Sequence, residues 1–157
     1  MEEQYYRPHI FESLKRTKHR SFVEDINSLL RQLSDSFSVV TRADIEKIVN
    51  NPNVEFLIVR NENQIVGMVM MTVKRDFRGA GAFIDNLIVD EKCRGQGLGL
   101  GRKLMERMIE TAEFMGLSHI DLTCNPKRES ANHLYQNLGF QKIGEVNGSN
   151  YYRKLLD

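Results

Sequence analysis

The 157 residues carry 22 Lys and Arg against 21 Asp and Glu, with 41% apolar and 27% charged residues. That length suits one domain with a real hydrophobic core, and a net charge of +1 is not the footprint of a nucleic-acid binder. The longest apolar run, "IVGMVMM" counting Gly67, is far short of the ~20 residues of a membrane-spanning helix, and the N-terminal stretch lacks a signal-peptide core.

Along the chain, "HIFESLKRT" reads as a first strand. In "SFVEDINSLLRQLSDS" the residues Phe22, Ile26, Leu29, Leu30 and Leu33 share one helical face, and Ser21 and Glu24 have the spacing of a capping box. "TRADIEKIVNN" is a shorter helix with a similar cap, Thr41 to Asp44. "VEFLIV" and "IVGMVMMTV" are strands joined by a hairpin loop "RNENQ", and "AFIDNLIV" is a further strand bounded upstream by "RGAG". Then come four glycines, Gly95, Gly97, Gly99 and Gly101, and a helix with Leu100, Leu104, Met105, Met108, Ile109, Ala112 and Met115 in one apolar stripe, ended by Gly116. "HIDLTCN" is a strand, and "RESANHLYQNLGF" a helix closed by Gly139, with Phe140 where a hydrophobic C-cap contact belongs. The tail reads as two strands around an Asn147-Gly148 turn. No repeat, linker or low-complexity segment interrupts residues 1–157, so the chain is a single α/β domain with a mixed sheet.

Two cysteines, Cys93 and Cys124, suggest no disulfide framework and fit a reducing, cytoplasmic setting. His9, His19, His119 and His133 have no ligand spacing with either cysteine, so no metal is expected.

The glycines need a reason, because each costs roughly 0.5–1 kcal/mol in regular structure. A Walker A loop fails: five residues after Gly95 and Gly97 stand Leu100 and Arg102. A Rossmann fingerprint needs glycine at one of those same positions and fails too. What survives is Arg94-x-x-Gly97-x-Gly99 between a strand and a helix. The unpaired N–H groups and partial positive charge of a helix N-terminus receive a phosphate, glycine lets it approach the backbone, and Arg94 adds charge. A ligand-free turn is the other reading of the same glycines.

"RGQGLG" resembles the Arg/Gln-x-x-Gly-x-Gly/Ala motif of the GNAT superfamily of acyl-CoA-dependent N-acyltransferases. "IDNLIVDEKC" looks like the strand before that loop in the family, and "ANHLYQNLGF" resembles its A-x-x-L-Y-x-x-L-G-F segment. The resemblance runs from about His9 to Leu156. It implies a mixed sheet with helices on both faces, and acetyl-CoA lying between two splayed central parallel strands. The backbone of Leu87, Ile88 and Val89 would meet the pantetheine, and Arg94, Gly95, Gln96, Gly97, Leu98 and Gly99 the pyrophosphate. Many members carry a CoA-binding asparagine where this chain has Arg128; Asn125 and Asn132, which flank it, are assigned to CoA instead.

Amide formation from a thioester needs a neutral amine, a stabilised oxyanion and a proton for the leaving thiolate. The resemblance makes Tyr135 the proton donor, and a phenol of pKa ~10 is protonated at neutral pH. Tyr135 also shares an apolar helix face with Ala131 and Leu138, so a core role stands beside the catalytic one. Asp85 and Asn86 interrupt an apolar strand, which central strands rarely allow without cause. Asp85 is the candidate base, with a bulge or edge position as the alternative. Cys124 has no identifiable histidine partner and reads as core filling. The expected function is N-acetyl transfer by direct attack on a small-molecule or peptide amine, without nucleic acid or membrane partners. Homodimers are common in the family, and a non-catalytic acyl-CoA sensor is the alternative function.

Overall fold

In "VEFLIVRN" and "QIVGMVMMTVKRD" neighbouring side chains enter two different cores, as central strands covered on both faces require. The computed structural model describes residues 9–16 and 22–157. Its elements are β1 (Ile10–Ser13), α1 (Phe22–Leu33), α2 (Arg42–Val49), β2 (Val54–Asn61), β3 (Gln64–Asp76), β4 (Gly79–Val89), α3 (Leu100–Phe114), β5 (His119–Cys124), α4 (Glu129–Asn137), β6 (Gln141–Val146) and β7 (Ser149–Leu155). The strands form one sheet in the order β1-β2-β3-β4-β5-β7-β6. Among the described residues only the β4–β5 pairing is parallel.

On one face Val59, Val69, Met71 and Ile84 pack with Leu104, Met105 and Met108 of α3 and Tyr135 of α4. On the other, Ile58, Met68 and Ile88 pack with Ile26 and Leu29 of α1 and Ile45 of α2. The expected mixed sheet with helices on both faces is what forms.

Local signals account for the helix ends. Thr41 and Asp44 make a reciprocal capping box at α2; the expected partner box, Ser21 with Glu24, lies outside the described residues. Gly116 (φ 71°) closes α3, with Leu117 N–H donating to the Ala112 carbonyl. Phe140 is buried against Tyr135 after Gly139, their ring centroids 6.0 Å apart. Two boundaries differ from expectation. The first strand stops at Ser13 and becomes a 3₁₀ turn, Leu14–Arg16. β4 begins earlier, at Gly79, running through the glycines instead of after them. Gly81 explains this: the His119 ring of the adjacent strand lies where its Cβ would stand, so only glycine lets β4 continue.

Asp121 and Arg153 are directly opposite across β5 and β7. Arg153 Nε and Nη2 donate to the carboxylate at 2.7 and 2.8 Å, and the Tyr151 hydroxyl donates at 2.6 Å. Burial alone would raise the Asp121 pKa, but these bonds outweigh it and hold the carboxyl below its ordinary range. A depressed carboxyl pKa stabilises the fold above the unfolded value, and that stabilisation is lost as pH falls through the folded one. Arg153→Met should therefore lower unfolding free energy by about 2–3 kcal/mol at neutral pH. In urea titrations the gap from the unaltered protein should narrow in acid.

Candidate active site

The parallel pairing of β4 with β5 is short, comprising only Ala82 with Ile120 and Phe83 with Asp121. Beyond it β4 runs to Val89 and β5 to Cys124 with no ladder between them. The β5-facing edge of β4 is left without strand partners at its C-terminal end, where its amides and carbonyls are free to meet a ligand.

A bulge sets what this edge presents. Met68 and Met70 of β3 face Ile88 and Asp85, three steps on β4 against two on β3, and Asn86 takes up the extra residue at φ 56°. Asparagine is among the few residues that tolerate this left-handed conformation. The bulge also reverses the alternation. Ala82 and Ile84 belong to the α3-side core before it, Leu87 and Val89 pack there after it, and Ile88 enters the α1–α2 core. The polar pair in the apolar strand thus has the bulge as its cause. Asp85 nevertheless remains solvent-exposed on the α1–α2 face, beside the split. Partial loss of hydration raises its carboxyl pKa.

At the split lies a cleft of about 720 Å³, bordered by Leu87, Ile88 and Val89, the turn after β4, and the N-termini of α3 and α4. In the turn Gly95, Gly97 and Gly99 have φ of 73°, 71° and 61°. Gly99 caps α3 in the left-handed conformation without a side-chain cap, so the first amides of α3 are left to an external acceptor. Beyond its two chain neighbours, a Cβ at any of the three would meet no atom of a described residue within 4 Å. The glycines serve the backbone conformation and access to it, not protein packing.

Arg94 borders the cleft, its Nε donating to the Val89 carbonyl at 2.8 Å and its Nη2 to Gln32 Oε1 at 3.2 Å. Gln32 Oε1 also accepts from the Glu91 amide at 2.8 Å. A side chain of α1 therefore pins the turn; in sequence Gln32 is merely a polar helix residue. The Gln96 side chain folds back to donate to the Lys92 carbonyl at 2.5 Å, and Gln96 does not border the cleft, whereas Leu98 lines it directly. Among the described residues Arg94, Arg102, Lys127 and Arg128 border the cleft against a single acid, Glu129. This cationic balance suits a polyphosphate.

Neither Asn125 nor Asn132 borders the cleft, a departure from the expected CoA contacts. Asn132 is buried and saturated. Its Nδ2 donates to the carbonyls of Asn125 and Arg128 at 2.9 and 2.8 Å, and its Oδ1 accepts from the Tyr152 hydroxyl at 2.7 Å and Asn150 Nδ2 at 3.0 Å. With two donors and two lone pairs engaged, no capacity remains for a ligand; Asn132 ties α4 to β5 and β7. Asn125 Oδ1 accepts from the Lys127 amide at 2.9 Å, shaping the turn into α4.

Tyr135 is buried between Phe140 and Tyr152, with centroids 6.0 and 6.1 Å away. Among the described residues the fully enclosed side-chain polar atoms without a partner are His9 Nε2 and Asn61 Oδ1. The Tyr135 hydroxyl is not one of them, and Tyr135 does not itself border the cleft, whose α4 wall includes Ala131 and Leu134. Burial, and then the neighbouring Cys124, push its pKa up to about 12. Burial likewise raises the Cys124 thiol. Among the described residues no three His, Cys, Asp or Glu side chains form a group able to hold a metal ion, and no helix is long and apolar enough to cross a membrane.

A family model described as Acetyltransferase (GNAT) family matches residues 19–140, more than half of the chain. The chain belongs to the GNAT acetyltransferase family. This GNAT chain is 32% identical over 104 residues to N-acetyltransferase family 8 member 2 of Rattus norvegicus, covering 65% of itself and 45% of that protein. It is 31% identical over 86 residues to probable glucosamine 6-phosphate N-acetyltransferase 2 of Oryza sativa subsp. japonica, with 53% and 49% covered. It thus spans about half the length of the curated relatives it matches. A crystal structure of an acetyltransferase from Streptococcus agalactiae superposes with a TM-score of 0.77 at 22% identity, over 96% of this chain and 100% of that one. The GNAT fold expected from the two motifs is therefore the fold observed.

Proposed function

We propose that this GNAT-family chain moves an acetyl group from acetyl-CoA to a primary amine by direct attack in a ternary complex. The observation that carries the reading is the partnerless C-terminal edge of β4 running into a cationic glycine turn at the start of α3. Bound acetyl-CoA supplies an acyl group activated as a thioester. The amides of 95–99 and of the first turn of α3, with Arg94, hold the pyrophosphate. The backbone of Leu87, Ile88 and Val89 orients the pantetheine and offers an N–H to the carbonyl oxygen as it gains charge.

An alkylammonium of pKa ~10.4 loses its proton to solvent before it attacks, and Asp85 accepts the second proton that the nitrogen sheds once it has added to the thioester, passing it to water. Its raised pKa makes it a better base than an ordinary carboxylate. Tyr135, with its pKa at about 12, keeps its proton throughout the neutral range. Complete transfer to a thiolate of pKa ~8.5 is uphill by on the order of 5 kcal/mol, so Tyr135 acts on the departing sulfur as a hydrogen-bond donor, with water delivering the final proton. The raised Cys124 thiol disfavours the thiolate that an acyl-cysteine route needs.

Thiol release from acetyl-CoA over a panel of amines, with calorimetry of CoA binding alongside, tests the reading; binding without release from any amine would refute it. Tyr135→Phe should cut turnover roughly 10- to 100-fold, the worth of one hydrogen bond to a developing charge, with CoA affinity held within about two-fold. Unchanged turnover would remove Tyr135 from the chemistry.

A further inference from the structure

A second cavity, of about 250 Å³, opens on the α1–α2 face of the sheet. Its walls are Ile26 and Leu30 of α1, Val40 and Ile45 at α2, Phe56 of β2 and Met70 of β3. Among the described residues its polar lining is confined to Ser38 in the loop between the helices and Asn86 at the bulge, and no ionisable side chain of those residues borders it. The bulge joins this cavity to the proposed reaction site. Asn86 borders the cavity, the next residue, Leu87, borders the acyl-CoA cleft, and the preceding Asp85 faces Met70 across the β3–β4 ladder. An amine beside the Asp85 carboxylate thus has its substituent directed at apolar walls.

We infer that this cavity is the acceptor pocket, and that the acceptor is a primary amine bearing one uncharged apolar group of about the size of a large aliphatic or aromatic side chain. The inference rests on the acetyl-transfer reading and adds the acceptor's chemistry. The volume falls just below the ~300 Å³ at which pockets for drug-sized ligands begin, so it has room for one such group. A second ammonium would lose its hydration with no carboxylate among the described lining residues to replace it. That disfavours polyamines and aminoglycosides.

The test compares ethylamine, isopentylamine, phenethylamine and spermidine as acceptors, in transfer assays and as ligands of the CoA-loaded protein. A peptide amine with leucine first is added to tell a chain terminus from a free amine; the better of the two names the source. kcat/KM should rise roughly four-fold per added methylene until the cavity is full, with spermidine at or below ethylamine. Ser38→Trp, at an exposed loop position, should narrow the mouth and collapse the isopentylamine-to-ethylamine ratio at least ten-fold, with CoA affinity and thermal midpoint as before. Ile48→Ala, which widens the cavity, should move the optimum to a longer amine. Spermidine surpassing every apolar amine, or a ratio unmoved by both variants, would overturn the pocket and leave acetyl transfer standing. Apolar amines that bind and are blocked by Ser38→Trp, yet accept no acetyl group, would uphold the pocket and overturn acetyl transfer.

Discussion

Gly97→Val should abolish acetyl-CoA binding, with a loss of at least 100-fold in calorimetric affinity and a protein that still folds. Gly97 has φ 71°, where a β-branched residue is strained by roughly 1–3 kcal/mol. Beyond its two chain neighbours a Cβ there meets no described residue within 4 Å, so valine displaces nothing in the core, and the folded state bears only the strain of an exposed turn. The ligand loses more. The left-handed turn directs successive amides at one point in the manner of an anion nest, and a branched side chain both rotates those amides and stands in the phosphate's approach. Gly79→Val is the control. Gly79 is also open and at positive φ (129°), but lies at the β3–β4 hairpin, away from the cleft. It should lower stability and leave CoA affinity alone. Equal CoA affinity in the Gly97→Val protein and the unaltered one would detach the glycine turn from the phosphate.

Much of this architecture is legible in the sequence because its causes are local. The Thr41–Asp44 box, the stripe from Leu100 to Ala112 and the Asn147-Gly148 turn, with φ of 49° and 79°, each draw on neighbours within a few residues. The glycine turn is legible too, since its backbone demand is written in the residue type. The rest depends on register and on distant partners. Asp85-Asn86 marks an anomaly, but whether it becomes a bulge depends on how β4 pairs with β3, and Met68 and Met70 carry no sign of that. Asn132 lies one turn before Tyr135 as expected, but Tyr152 and Asn150, nearly twenty residues on, take its carbonyl oxygen. Gln32 reaches the Glu91 amide across the fold, and no periodicity distinguishes it from other exposed helix residues. The apolar cavity is hidden for the same reason: its walls come from two helices, the loop between them and two strands whose apolar positions, read singly, are simply core.

The pH profile of the Asp85→Asn protein separates catalysis from structure at the bulge. In the unaltered protein kcat/KM for an amine should rise with pH through the Asp85 pKa, because the base acts only when ionised, and should rise further as the amine itself deprotonates. Desolvation places the first rise above the ordinary carboxylate pKa of about 3.9. Asp85→Asn should lower kcat/KM by roughly 10²–10³-fold at neutral pH, erase the first rise and retain the second, with CoA affinity unchanged. Stability should move the other way. A carboxyl whose folded pKa is raised costs the folded state free energy once pH exceeds the unfolded value, and the cost is complete above the folded pKa. The neutral asparagine removes that cost, so the urea midpoint at neutral pH should hold or rise as activity falls. A residue retained against stability for its chemistry behaves in this way. A midpoint that drops while turnover and the acid limb persist would make Asp85 part of the bulge's structure and remove it from the reaction.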